Sequence, residues 1–131
     1  MSSSQLNKLT LSVLPNSLAV CQLPKNTPVP SYAFTSTFFS ITQTDDELSI
    51  VCDQSAVPAD VKKVVNWRAF KIEGPLDFSQ IGILSSLTKP LADNQISIFA
   101  ISTYDTDYIL VQSKDFSEAK AVLSTVCMLK E

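Results

Sequence analysis

The chain has 131 residues, of which 45% are hydrophobic and 18% charged, and its formal net charge is −3. This balance is typical of one globular domain, or of two very small ones, that can bury a core. The ten scattered Lys and Arg residues disfavour a nucleic-acid surface, and the absence of histidine excludes His-based triads and the commonest metal ligand.

The three cysteines, Cys21, Cys52 and Cys127, are isolated in the sequence and form no CxxC pair. Buried thiols in a reducing cytosol account for them better than disulfides or a metal site. No apolar run approaches the ~18 residues of a membrane span, and the serine-rich start lacks the basic and apolar regions of a signal peptide. We therefore expect a cytoplasmic protein with no cofactor and with neither a membrane nor a nucleic-acid partner.

The first half of the chain alternates apolar and polar residues in short runs separated by turn signals. This pattern predicts strands, with a proline-rich surface loop after the second of them. The predicted strands are 9–13, 18–23, 38–43 and 48–52, and the loop is 24–30. Pro58 then predicts the first turn of a short helix with Val61, Val64 and Val65 on one side.

The second half predicts a strand from Trp67, a turn at Gly74 and Pro75, and then two helices that flank a pair of strands. The apolar stripes of the helices are Ile83, Leu84, Leu87 and Leu91, then Ala119, Val122, Leu123 and Val126; the strands are 96–103 and 107–112, with a short last strand at 126–129. We expect caps from Asp77 with Gln80 and from Asp115 with Glu118, and a kink or helix end at Pro90. This element order is that of a ferredoxin-like domain.

The predicted hairpins of the two halves resemble each other at a spacing of 60 residues. FSIT at 39–42 returns as FAIS at 99–102, and without a gap Asp45 and Glu47 then face Asp105 and Asp107. A fixed long period indicates one folding unit used twice. We therefore predict an α+β fold of two ferredoxin-like βαββαβ units, 1–66 and 67–131, with antiparallel sheets and helices on one face. The first unit has a strand and a loop where its helix should be, and a groove between the units is the natural place for function.

Five segments in order carry a further signal: FFSIT at 38–42, ELSIVC at 47–52, WRAFKIEGPLDFSQIGIL at 67–84, ISI at 96–98 and ISTYDTDYILV at 101–111. Together they resemble the ACT family of small-molecule regulatory domains, in particular those of aspartate kinases and of CASTOR-type cytosolic arginine sensors. The resemblance implies a regulatory ligand, usually an amino acid, held between ACT units and often across a dimer interface. It implies a site at Gly82 and Ile83 and at a strand end that comprises Ser102, Thr103, Tyr104, Asp105, Thr106 and Asp107. Many relatives carry glycine before the second strand; this chain has Asn94 and Gln95 there, and Asn94 can adopt the left-handed conformation.

The candidate site residues have more than one interpretation. Gly82 either lets the backbone approach a ligand carboxylate or makes a tight strand-to-helix contact. Asp105 and Asp107 either pair with a ligand ammonium or guanidinium group or form a solvated turn, and on a continuous strand they would share a face. Tyr104 is the aromatic residue best placed for a ligand contact. The matching acidic turn of the first unit, 45–47, is either a second half-site or a solvated hairpin tip.

The function that these patterns favour is non-catalytic: a homodimeric regulatory protein that binds an amino acid or a similar small molecule. The alternative is an interaction module without a ligand, in which a strand edge mediates homodimerisation. An apolar strand that ends in Asp-x-Asp also occurs in phosphotransferases that bind Mg²⁺, but that chemistry needs further carboxylates and a lysine, and no second acidic motif with a lysine accompanies Asp105 and Asp107.

Overall fold

The computed structural model describes residues 9–73 and 82–131, which contain eight strands and two α-helices. In chain order these are β1 (Thr10–Val13), β2 (Leu18–Pro24), β3 (Ser40–Gln43), β4 (Glu47–Asp53), β5 (Lys62–Ile72), α1 (Ile83–Asp93), β6 (Ile98–Ser102), β7 (Asp107–Gln112), α2 (Phe116–Ser124) and β8 (Met128–Lys130). The predicted α+β class is confirmed. The predicted turn at Gly74 and Pro75 and the cap from Asp77 and Gln80 lie outside the described residues.

The short helix predicted from Pro58 is wrong. The turn that Pro58 begins closes with one bond from the Val61 N–H to the Pro58 carbonyl oxygen at 3.3 Å, and strand β5 follows at once. Val61, Val64 and Val65 fit a helix stripe, but β-branched side chains also suit a pleated strand, and pairing of β5 with β2 decides between them.

Strand β1 packs with the second half of the chain, not with the first unit in which the sequence placed it. It pairs with β5 in antiparallel fashion, Leu11 opposite Ile72, and with β8 in parallel fashion, Leu11 opposite Leu129. The side chain of Leu11 is fully buried in the same apolar cluster as Phe70 and Leu123. The contacts therefore divide the chain into two units. One is Asn16–Trp67, and the other consists of β1 together with Arg68–Glu131. Two ACT-like repeats at 1–66 and 67–131 remain a prediction.

The unit Asn16–Trp67 is a sheet in the order β3, β4, β2 and the first half of β5. One face of this sheet is apolar because alternate residues of its strands point to the same side. The core on that face comprises Ala19, Cys21, Ala33, Leu48, Ile50 and Cys52. A short 3₁₀ helix, Ser31–Phe34, contributes Ala33 where a complete ferredoxin-like unit would carry an α-helix.

In the other unit the strands run in the order β8, β1, the second half of β5, β7 and β6. Both helices cover one face of this sheet, as predicted. The helix side chains Leu87, Leu91, Ala119 and Leu123 and the strand side chains Phe70, Ile72, Ile109 and Val111 form a single buried cluster. Helices on one face agree with the prediction, but the sheet is mixed and not antiparallel throughout, because β1 and β8 run parallel.

Helix ends differ from the sequence expectations in three details. Helix α1 continues through Pro90 to Asp93, so proline neither ends it nor shortens the predicted stripe. Asp115 precedes α2 but its side chain makes no capping hydrogen bond. The left-handed residue after α1 is Gln95, with φ of 60°, and Asn94 instead has φ of −98°. Within the described residues, none of the helices is long and apolar enough to cross a membrane.

The two predicted hairpins are present, but their equivalence lies at 59 residues and not at 60. The last strand pair before the turn is Gln43 with Leu48 in one hairpin and Ser102 with Asp107 in the other, a shift of 59. The buried residues Ile50, Val51 and Cys52 of β4 then match Ile109, Leu110 and Val111 of β7, which are also buried. A slip of one residue would turn every side chain to the opposite face.

All three cysteines are buried free thiols. Burial raises the pKa of Cys52 to about 11 and that of Cys127 to about 11. Because the thiolate is the reactive form, we expect both residues to react with a disulfide reagent at pH 8 more than about 100-fold more slowly in the folded protein than an exposed cysteine does. Labelling with and without denaturant measures this, and rapid labelling of the folded protein would contradict the burial of these thiols.

Candidate functional site

The turn between β6 and β7 is closed by three hydrogen bonds between Thr103 and Thr106. The Thr103 N–H donates to the Thr106 carbonyl oxygen at 2.8 Å, and the Thr103 hydroxyl donates to the same oxygen at 3.1 Å. The Thr106 N–H in turn donates to the Thr103 hydroxyl oxygen at 3.2 Å. Because a short polar side chain satisfies the backbone here, the four-residue turn is fixed by its own sequence.

Ser102 and Asp107 face each other across the last pair of the hairpin, on either side of the turn. The Ser102 hydroxyl donates to Oδ1 of Asp107, and the side chain of Asp107 is half-buried. A carboxylate has about four acceptor positions on two oxygens, so Oδ2 remains able to accept from another donor. The pair thus presents a fixed negative charge at the end of the strand.

Tyr104 and Asp105 lie at the tip of the turn, and Tyr104 is 83% exposed. Asp105 is not on a continuous strand with Asp107, since the strand begins at Asp107, so the shared strand face considered from the sequence does not arise. Both carboxylates nevertheless belong to the same short segment. Among the described residues, no group of three or more His, Cys, Asp or Glu side chains is arranged to hold a metal ion.

Thr106 is the one member of the turn whose side chain points into the protein. It is 5% exposed, and its hydroxyl donates to the Ile72 carbonyl oxygen at 2.6 Å. Ile72 is the last residue of β5, from which the chain continues toward helix α1. The bond therefore ties the turn to the strand end that leads to Gly82, and the Thr106 hydroxyl is already committed to a partner within the protein.

Replacing Thr106 with valine should lower the free energy of unfolding by about 1–3 kcal/mol, because the Ile72 carbonyl would stay buried without its donor. Urea denaturation of the variant and of the wild type measures the loss. Thr106→Ser keeps the hydroxyl and is the matched control, which should retain most of the stability. A valine variant as stable as the wild type would show that the bond to Ile72 contributes nothing.

Gly82 and Ile83 form the start of helix α1. Gly82 has φ of 87°, and a Cβ added to it would find only Ser85 Oγ within 4 Å, at 3.8 Å. Among the described residues, no neighbour packs closely enough to exclude a side chain at this position. The left-handed backbone conformation is therefore what favours glycine here. Ile83 is only 4% exposed and its side chain belongs to the core, so its possible contribution to a ligand is through the backbone N–H. The first N–H groups of a helix have no acceptor within the helix.

Replacing Gly82 with alanine should lower the free energy of unfolding by about 1–2 kcal/mol, the cost of placing an L side chain in the left-handed region. Asparagine tolerates that region better, so Gly82→Asn should cost less than Gly82→Ala. Thermal or urea denaturation of both variants decides. Equal losses for alanine and asparagine would mean that the side chain clashes with a neighbour and that backbone conformation is not the cause.

The structure places the strand-end residues of the candidate site in one hydrogen-bonded turn and leaves their relation to Gly82 indirect. Ser102 with Asp107, and Thr103 with Thr106, are linked by hydrogen bonds, and Thr106 is linked to Ile72. Residues 74–81, between Ile72 and Gly82, lie outside the described part of the chain. Ile72 was not expected in the site, and no sequence signal could have shown it, because it contributes a backbone oxygen from 34 positions away.

Two family models match the chain. A model of the ACT domain matches residues 63–125, which include all the residues of the candidate site. A second model, described as the N-terminal domain of a protein family, matches residues 16–60. The resemblance to ACT domains is therefore confirmed for the second half of the chain.

Individual proteins are also similar to this chain. A protein from Agrobacterium tumefaciens of known crystal structure is 37% identical to this chain, and the two structures superpose with a TM-score of 0.87 over 95% of both chains. The human cytosolic arginine sensor for mTORC1 subunit 1 is 33% identical over 106 residues, 75% of this chain and 31% of the sensor. The fold of Clostridium acetobutylicum aspartate kinase is similar, with a TM-score of 0.65, 11% identity and coverage of 88% of this chain and 34% of the kinase. The chain spans 62% of the length of one human curated relative and 31% of the length of the human arginine sensor.

Proposed function

We propose that the chain, whose residues 63–125 match the ACT domain model, is a non-catalytic regulatory protein whose occupancy by a small molecule, in the first place an amino acid, is passed to a partner. Such a ligand acts only through its different affinities for two states of the protein. We place this function in the cytoplasm, in keeping with the cytosolic relatives whose sequences are similar.

The observation that carries the proposal is the turn between β6 and β7. It sets the Asp107 carboxylate, oriented by the Ser102 hydroxyl, next to the exposed Asp105 and Tyr104. A ligand ammonium or guanidinium group can form charge-assisted hydrogen bonds with such carboxylates. The Thr103 hydroxyl and the aromatic ring of Tyr104 are further contacts of suitable chemistry. In this proposal Thr106 positions the turn and does not contact the ligand.

The carboxylate of an amino acid would be bound by backbone N–H groups at the start of α1. The N–H groups of the first helical turn, from Ile83 onward, are free of acceptors within the helix and lie at its positive end. Gly82 carries no side chain that would cover this backbone. A ligand with a carboxylate at one end and a cation at the other has the chemistry that both groups would bind.

A thermal-shift screen against the twenty amino acids and a few metabolites at millimolar concentration tests the proposal. L-arginine is the first probe, because it is cationic and because similar proteins are named arginine sensors. A ligand present at about 100 times its Kd should stabilise the fold by about 2.7 kcal/mol, which is a readily measured shift in Tm. If none of the compounds shifts the Tm, the proposed ligand class is wrong.

The second candidate is a homodimeric interaction module that needs no ligand. Among the described strands β6 pairs only with β7, and its five residues, Ile98–Ser102, carry no charge. An uncharged strand edge can pair with a second chain. Sedimentation with and without amino acids separates the candidates: a dimer that ignores every amino acid favours the module, and a mass that responds to one of them favours the sensor.

A further inference from the structure

The two hairpin turns of the chain share one hydrogen-bond pattern. In the first turn the Thr44 N–H donates to the Glu47 carbonyl oxygen at 3.0 Å, and the Glu47 N–H donates to the Thr44 hydroxyl at 3.2 Å. The turn from Thr103 to Thr106 contains the same two bonds, at 2.8 Å and 3.2 Å. The threonines are 59 positions apart, which is also the shift between the two strand registers. The turns are therefore structurally equivalent residue by residue.

Once the turns are matched in this way, their acidic residues no longer coincide. The equivalent of Asp107 is Leu48, which is 0% exposed and belongs to the core of its unit. The equivalent of Ser102 is Gln43, so the hydroxyl–carboxylate pair at the strand end has no counterpart in the first turn. Only Asp105 keeps an acidic equivalent, Asp46.

Two further acidic residues lie in the first turn: Asp45, at the position equivalent to Tyr104, and Glu47, which already has a partner. Glu47 stands where Thr106 stands in the second turn, and Oε1 of Glu47 accepts a hydrogen bond from Gln22 Nε2 at 3.2 Å. The buried Leu48 side chain cannot accept a hydrogen bond from a cationic group, and displacing it would open the core. The first turn thus keeps the backbone of the second and is itself acidic, but it has no carboxylate at the position equivalent to Asp107.

We propose that the two equivalent turns have diverged, so that only the turn 103–106 with Asp107 binds ligand and each chain holds no more than one ligand at these turns. The inference rests on the proposed function. The carboxylate at the first position of β7 is then the feature that specifies the ligand, and the acidic turn 44–47 is a solvated connection between β3 and β4. A molecule built from two similar units binds as a single-site protein.

Isothermal titration of L-arginine into the full chain tests the inference through stoichiometry. We expect at most one arginine per chain, with the same Kd and the same stoichiometry in the double variant Asp46→Asn with Glu47→Gln. Two arginines per chain in the wild type, with one of them lost in the double variant, would overturn it. A change in Kd of tenfold or more in the double variant would also overturn it.

Failure of the proposed function gives a different result from failure of this inference. If neither arginine nor any other amino acid binds the wild type, the proposed function is wrong and the inference falls with it. If arginine binds with two sites of comparable affinity, the proposed function stands and the single-site inference alone is wrong.

Discussion

Replacing Asp107 with asparagine should weaken the binding of a cationic amino acid by about 10-fold to 150-fold, while the fold stays intact. The range corresponds to the roughly 1.5–3 kcal/mol that a hydrogen bond to a charged group contributes. Asparagine has nearly the same shape and can still accept the bond from Ser102, so the charge and the second acceptor oxygen are lost while the bond to Ser102 is kept. Titration calorimetry with L-arginine measures the change in Kd.

Asp46→Asn is the matched control for this variant, because it removes one negative charge from the equivalent turn of the other unit. It should leave the Kd unchanged, because the proposed site contains no residue of the turn 44–47. An Asp107→Asn protein that binds as tightly as the wild type would show that this carboxylate does not contact the ligand. Unfolding of the variant would show instead that Asp107 is a structural residue.

Replacing Leu11 with alanine should lower the free energy of unfolding by about 2–5 kcal/mol, as expected for a large side chain removed from a closed core. Leu11 is 0% exposed and lies in the cluster formed by β5, β7 and the two helices. Such a loss is a large part of the stability of a small protein. Urea denaturation measures the loss. The slope of the unfolding free energy against urea concentration should be the same in the variant and the wild type, which excludes a change in the unfolded state.

Thr10→Ala on the same strand is the control, because Thr10 is half-buried and lies outside that cluster. It should cost much less than Leu11→Ala. If Leu11→Ala costs less than about 1 kcal/mol, a value usual for half-exposed positions, strand β1 does not complete the sheet of residues 68–131. The reassignment of this strand would then be wrong.

Local elements could be predicted from the sequence because their causes are local. Strand β7 begins at Asp107 and ends at Gln112, as predicted, because the turn before it is closed by its own threonine. Helix α1 carries the predicted stripe of Leu87 and Leu91, since a helix periodicity of 3.6 residues is visible in the sequence itself. These features need no distant partner to be specified.

Long-range pairing could not be predicted in the same way. Leu11 pairs with Ile72 and Leu129, and an alternating strand pattern does not tell which distant strands it will join. The valine-rich segment after Pro58 suits both a helix and a strand, and it forms a strand because it pairs with β2. The repeat was displaced by one residue because similarity of residue type favoured 60, whereas the hydrogen bonds of Thr44 and Thr103 require 59.

The candidate site was predicted as a set of residues but not as an arrangement. A polar segment after an apolar strand indicates a turn, and this is what 103–106 forms. That Thr106 faces inward to the Ile72 carbonyl follows from the pairing of β7 with β5, which the sequence does not specify. Only the structure therefore distinguishes the residues of the segment by their contacts: Ser102 orients Asp107, and Thr106 anchors the turn.

A two-dimensional ¹H–¹⁵N NMR titration of the full chain with L-arginine tests the central claim most directly. The account predicts that the amide signals of Thr103, Asp105 and Asp107 shift together with those of the first residues of α1, with one common Kd, while those of 44–47 stay in place. Shifts confined to 44–47 or to a strand edge would contradict the proposed site. A spectrum that does not change with arginine or with any other amino acid would contradict the ligand-binding function itself.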